Sequence, residues 1–148
     1  MINPFSDEYF MHQALLEAKK AFSLNEVPVG AVVVVKDKII ARGYNLTERL
    51  NDVTAHAEIQ AITAASEYLG AKYLTECTIY ITLEPCAMCA GALYWSKINR
   101  VVIGAMDKKR GSSIYSPRLY HPKTLVENGI LAQECADVLK EFFLQKRN

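Results

Sequence analysis

Two short segments thirty residues apart, His56-Ala57-Glu58 and Pro85-Cys86-Ala87-Met88-Cys89, restrict the fold more than anything else in the chain. Two cysteines three apart at the start of a helix can grip one ion, and Pro85 suits a helix entry. His56, Cys86 and Cys89 make three ligands, with Glu58 left over as a carboxylate that does not bind. A structural zinc takes four protein ligands, whereas a catalytic zinc takes three and keeps one position for water. The set points to zinc chemistry with Glu58 as proton carrier, and the fold must bring both segments to one place. Thr54 as the N-cap of a helix over 55–68 puts His56 and Glu58 in its first turn, so two helix N-termini face one cation. Their positive dipole ends favour thiolate at Cys86 and Cys89 and an ionised Glu58.

Along the rest of the chain, Ser6 caps a first helix with Met11, Ala14, Leu15, Ala18 and Phe22 at helical spacing. Residues 29–35 and 39–45 are rich in β-branched side chains and read as a hairpin joined through Lys36-Asp37-Lys38. A third strand over 78–83 ends at Glu84-Pro85 and feeds the cysteine helix. A fourth strand covers 101–103 and a fifth 124–127, with Asn128-Gly129 as a turn. The last helix carries Leu131, Cys135, Val138, Leu139 and Phe142 on one face. Between them, 106–123 holds Gly111, Ser112, Ser113, Pro117 and Pro122 and reads as a long loop or broken helix, of a length that is usually functional. Helices between strands predict an α/β sheet that opens with a hairpin and continues through parallel crossovers, with its ligand site beyond the strand C-termini.

The 148 residues, 51% hydrophobic and 22% charged, predict one domain over 1–148 with a real core. Residues Met1 to Phe10 include Asp7 and Glu8 and lack a basic start followed by an apolar stretch, so no secretory signal is expected. No apolar run approaches a membrane span. Cys77 and Cys135, left over once the metal pair is assigned, are expected to be reduced and buried, which suits a cytoplasmic location. The net charge of +1 hides a segregation: Lys97 to Lys123 holds Lys97, Arg100, Lys108, Lys109, Arg110, Arg118 and Lys123 against Asp107 alone. Such a segment either attracts a polyanion or is a solvated loop.

His-x-Glu followed by Pro-Cys-x-x-Cys resembles the signature of the zinc-dependent nucleobase deaminases. Over nearly its whole length the chain is similar to the bacterial tRNA-specific adenosine deaminases. The likeness rests on the metal motifs together with Glu26-Val27-Pro28-Val29-Gly30-Ala31, Asn45-Leu46-Thr47-Glu48, Thr54 to Glu58, Thr82 to Ala92, Gly129-Ile130-Leu131 and Phe142-Phe143. The resemblance implies a cytidine-deaminase-like three-layer α/β/α sandwich with a five-stranded mixed sheet, one Zn2+ per subunit, and a homodimer that holds a tRNA anticodon loop. It implies hydrolytic deamination of the wobble adenosine to inosine. Asn45 then matches a nucleotide-holding asparagine, Lys109 falls in the basic loop after the fourth strand, and Phe142 and Phe143 match aromatics near the anticodon.

Three departures bear on the substrate. Asp52-Val53 stands where the family has Asp-Pro, Lys108 and Arg110 replace a proline and a small residue, and Leu93-Tyr94-Trp95 resembles the aromatic-bearing helix of free-guanine deaminases. A deaminase of a free base or nucleoside, such as guanine or cytosine, is therefore the alternative substrate reading. A non-catalytic zinc-stabilised RNA-binding module is a third, and it needs a fourth ligand from Cys77, Cys135 or His121.

Overall fold

Ser6 ends the N-terminal turn and starts α1 (Asp7–Ser23) as expected, its hydroxyl accepting from the Tyr9 amide at 3.1 Å while Asp7 and Glu8 complement the helix dipole. The chain is seen here as a computed structural model that describes residues 3–116 and 119–146. Expectations resting on Met1, Pro117 and Arg118 lie outside the described residues. β1 (Gly30–Val35) and β2 (Lys38–Tyr44) form the hairpin. Lys36 (φ 49°) and Asp37 (φ 63°) both take the left-handed conformation, so the connection is a two-residue turn whose twist matches the strands.

α2 (Ala57–Leu69), β3 (Thr78–Leu83), α3 (Ala87–Ser96), β4 (Arg100–Ala105), β5 (Leu125–Asn128) and α4 (Ala132–Lys146) follow. A 3-10 turn at Ser112–Ile114 is the one regular piece found within the described part of the long loop. The sheet order is β2-β1-β3-β4-β5. β1 runs antiparallel to both neighbours, and β3, β4 and β5 are mutually parallel. β2 and β3 consequently point the same way on either side of β1, and α2 is the crossover between them.

The valine run of β1 is buried along nearly its whole length because helices cover both faces of the sheet. On one face Ala31, Val33, Ile79, Ile81, Val101 and Ile103 meet Ala57, Ala61 and Ala65 of α2 and Leu93 of α3. On the other, Val32, Val34, Tyr80 and Val102 meet Phe10, Met11, Ala14 and Leu15 of α1 and Cys135 of α4. The architecture is the expected three-layer α/β/α sandwich with a five-stranded mixed sheet. Small residues set the layer spacing: a side chain at Gly43 would run into the Ala57 carbonyl and the Ala61 amide, so only glycine lets α2 lie directly on β2.

Several strand ends fall a residue or two from expectation, β4 being longer than 101–103 and β5 taking in Asn128, and two helix starts also differ. α2 starts at Ala57 because the Thr54 amide and hydroxyl both donate to Asp52 Oδ1, at 2.8 and 2.7 Å, and the chain stays extended through His56. Thr54 therefore does not cap the helix. Leu131 (φ 54°) lies just before α4 rather than inside it. Cys77 and Cys135 are free and buried as expected. No helix among the described residues is long and apolar enough to cross a membrane.

Candidate metal centre and active site

β3 delivers the chain through Glu84-Pro85 to Cys86, and β2 delivers it through the 45–55 loop to His56, so both segments arrive at the same end of the sheet. His56 (φ −72°, ψ 158°) and Cys86 (φ −70°, ψ 175°) each occupy the N-cap position of a helix. Neither side chain caps its own helix, and both turn instead to a common point. Cys89, in the first turn of α3, completes the group: His56 Nδ1 lies 3.6 Å from Cys86 Sγ and 3.5 Å from Cys89 Sγ. A tetrahedral zinc with ordinary Zn–N and Zn–S bonds separates a nitrogen and a sulfur ligand by about 3.6 Å. The donor atoms thus fit the ion in both kind and spacing.

Among the described residues this is the one group of three or more side chains able to hold a metal. Cys77 and Cys135 sit in the two cores, and His121 accepts from the Lys123 amide and packs against the Tyr94 ring. The four-ligand alternative accordingly finds no fourth ligand there. Three ligands, with His56 and Cys86 only half-buried, are the arrangement that leaves a metal open to water and substrate.

The electrostatics suit ligation. The Cys86 thiol is held down at about 4, first by the hydrogen bond from Cys89 and also by its bond to His56, while burial opposes the shift. Cys89 is pushed up by that same bond and by burial, and His56 is raised by its bond to Cys86. A thiolate thus stands ready between two groups whose protons a cation would displace. Glu58, in the first turn of α2 and buried, is pushed up to about 7, chiefly by desolvation, against the pull of its own backbone amide and of His56, so burial outweighs the helix dipole expected to keep it ionised. A carboxyl poised near neutrality can both take and return a proton.

The expected substrate residues are placed as follows. Asn45 ends β2's run toward the site but is only 8% exposed, its Nδ2 donating to the Val27 carbonyl and its Oδ1 accepting from the Thr47 amide. Lys109 is exposed between Lys108 and Arg110 on the loop after β4. Phe142 is buried edge-on to Phe22, and Phe143 stands 47% exposed with Phe142 behind it. Both belong to α4, on the face of the sheet opposite the metal group. Tyr94 and Trp95 are exposed at the end of α3.

Comparison with known proteins agrees with the donor set. Residues 4–105 match the family model described as the cytidine and deoxycytidylate deaminase zinc-binding region. The chain belongs to this deaminase family. It is 44% identical, over 94% of its own length and 95% of the relative's, to a tRNA-specific adenosine deaminase of Agrobacterium fabrum. The corresponding Bacillus subtilis protein is also 44% identical, over 95% of this chain and 91% of the relative. A chloroplastic tRNA(adenine(34)) deaminase of Arabidopsis thaliana matches at 44%, and there the matched region is only 12% of the relative's length. Among solved structures, a tRNA:A34 deaminase superposes with a TM-score of 0.82 at 43% identity, covering 88% of this chain and 99% of that one. A guanine deaminase from Bacillus subtilis gives 0.67 at 36% identity, over 76% of this chain and 70% of that one.

Around the site, the roles of two buried acids of this deaminase escaped the sequence reading. Glu26, 1% exposed, accepts from the Glu48 and Arg49 amides at 3.1 and 2.7 Å and pins the loop that leads to His56. Glu84, 4% exposed, holds both ends of the loop after β4. In the sequence each is an ordinary glutamate a residue or two before a proline, and only the folded chain shows what it closes.

Proposed function

We propose that the protein is a zinc-dependent hydrolytic deaminase that converts adenosine to inosine at the wobble position of tRNA. The observation that carries the substrate is the 43–44% identity, nearly end to end, to proteins known as tRNA deaminases. The observation that carries the chemistry is the three-ligand group beside a buried carboxyl.

In this reading His56, Cys86 and Cys89 hold the ion. Zinc bound there supplies the Lewis acidity that makes water a nucleophile near neutral pH. Glu58 takes a proton from the attacking water, gives it to N1 of the adenine ring as oxygen adds at C6, and then helps the amino group leave as ammonia. One water enters and one ammonia departs, so adenosine becomes inosine. Buried and near neutrality, Glu58 can act in both directions. Asn45 fixes the nucleotide, Lys109 reaches a phosphate, and Phe143 offers a stacking face backed by Phe142, in keeping with recognition of splayed single-stranded bases. The proposal includes a homodimer acting in the cytoplasm. Cys77 and Cys135, free and buried in separate cores, are in keeping with that compartment.

A second reading, deamination of free guanine, draws on the guanine deaminase neighbour and on exposed Tyr94 and Trp95. Incubation of zinc-loaded protein with an anticodon stem-loop carrying a wobble adenosine, and separately with free guanine and cytosine, decides between them. Inosine in the RNA is the expected result. Ammonia from a free base, with the RNA untouched, overturns it.

A further inference from the structure

The carboxylate of Glu84 accepts from the Asp107 amide through Oε1 at 3.1 Å and from the Ser113 amide through Oε2 at 2.9 Å. Those amides are the two ends of a loop whose middle is Lys108-Lys109-Arg110, three exposed cations in a row. Within the loop, Asp107 Oδ1 accepts from the Lys109 and Arg110 amides at 3.0 and 3.1 Å, and the Gly111 amide donates to the Asp107 carbonyl at 3.0 Å. The Ser112 amide donates to the Pro85 carbonyl at 2.9 Å, beside the first cysteine of the metal group. Gly111 passes so close that a Cβ there would meet the Glu84 carboxylate itself. A buried acid with its oxygens committed to the backbone amides at both ends of one loop is a strong, water-shielded anchor.

Resting on the RNA reading above, we propose that Glu84 is a positioning residue: it fixes the 107–113 loop to the metal-bearing segment so that Lys108, Lys109 and Arg110 meet the substrate's phosphates in register with the reacting base. Loose cations would still attract RNA, but holding the loop in advance removes the ordering cost from each binding event. The anchor acts on binding rather than on the chemical step.

Two substitutions reach the contact from opposite sides. Glu84→Gln keeps the shape but turns one acceptor into an NH2 group that faces an amide donor. Gly111→Ala pushes the loop off the carboxylate without altering the residues next to Cys86. In zinc-loaded protein, both variants are expected to keep one zinc per chain. In both, hydrogen exchange of the 107–113 amides is expected to speed up about tenfold or more, the scale of a lost charge-assisted hydrogen bond. On stem-loop RNA, KM is expected to rise about tenfold with kcat within about threefold of wild type.

Unchanged loop exchange in both variants overturns the proposal. So does loss of zinc from both, or a fall in kcat at constant KM, since Glu84 would then serve the ligands or the reaction directly. A wild-type protein that deaminates a free base but no RNA removes the substrate reading and the KM expectation with it. The exchange measurement still decides whether Glu84 holds the loop.

Discussion

Gly43→Ala tests whether the helix that carries Glu58, the proposed proton carrier, is seated by backbone contact with the sheet. An ideal Cβ at Gly43 would lie 2.6 Å from the Ala57 carbonyl oxygen, 2.7 Å from the Ala61 amide and 2.9 Å from Gln60 Cβ, where ordinary contact begins at 3.4 Å. Relief of the worst of these needs a shift of about 0.8 Å between β2 and the first turn of α2. Two of the obstacles are helix backbone, which cannot swing aside. Overpacking of this kind costs about 1–3 kcal/mol. The same first turn holds His56 at its start and Glu58 one residue in, so the shift also moves a ligand and the buried carboxyl. Misplacement on the order of 1 Å in an active site costs roughly 100-fold in rate.

Urea unfolding of the zinc-loaded variant is therefore expected to show a stability loss of about 1–3 kcal/mol. Its kcat/KM is expected to fall about 10- to 100-fold. The control is Gly70→Ala, at the other end of the same helix, where φ is 63° and nothing lies within 4 Å of an added Cβ. That change costs about 1 kcal/mol through backbone strain alone and should leave turnover at the wild-type level. Gly43→Ala protein with unaltered stability and turnover would refute the seating argument, as would an equal loss of turnover in both variants.

Glu58→Gln should retain zinc, measured by atomic absorption, and lose about 100- to 10,000-fold in turnover. Cys89→Ser should bind zinc weakly and unfold at a lower temperature than wild type, because cation binding contributes to folding free energy. Calorimetry with and without a chelator should show the wild type dropping toward the variant. Arg100 donates to both oxygens of Asp7, at 2.9 and 2.7 Å, and holds its carboxyl below the usual carboxylate range. A depressed folded-state value means that this stabilisation is present above the unfolded pKa, near 4, and is lost as pH falls through the lower folded value. The stability gap between wild type and Asp7→Asn should accordingly be constant from pH 7 to about 5 and close below about 4. A gap that widens in acid contradicts the assignment.

The elements readable from sequence are those whose signal is local. β3 occupies 78–83 as its β-branched run between turn residues indicated, and Ser6 caps α1 through its own hydroxyl. The group His56, Cys86 and Cys89, spaced to hold a metal, was readable because two of its members sit within one turn and the third shares a motif with Glu58. The start of α2 was displaced because Asp52, two residues upstream, captures Thr54 and keeps His56 extended. No local pattern announces that competition. Glu26 and Glu84 were unreadable for a related reason: their partners are amides twenty or more residues away, and a buried glutamate looks in sequence like any exposed one. The departures at Lys108 and Arg110 fall on the loop that Glu84 closes, where side chains face outward and packing imposes little on their identity.

His56 and Cys86 stand where a helix ordinarily has a serine or aspartate to bind its first amides, and neither does so. A cation gripped by both would act as a shared clasp, fastening the beginnings of two helices that otherwise have no side chain of their own to stop them unravelling. Stripping it should loosen α2 and α3 from their front ends while the valine-rich strands beneath stay protected, so the demetallated protein would fail first where catalysis takes place.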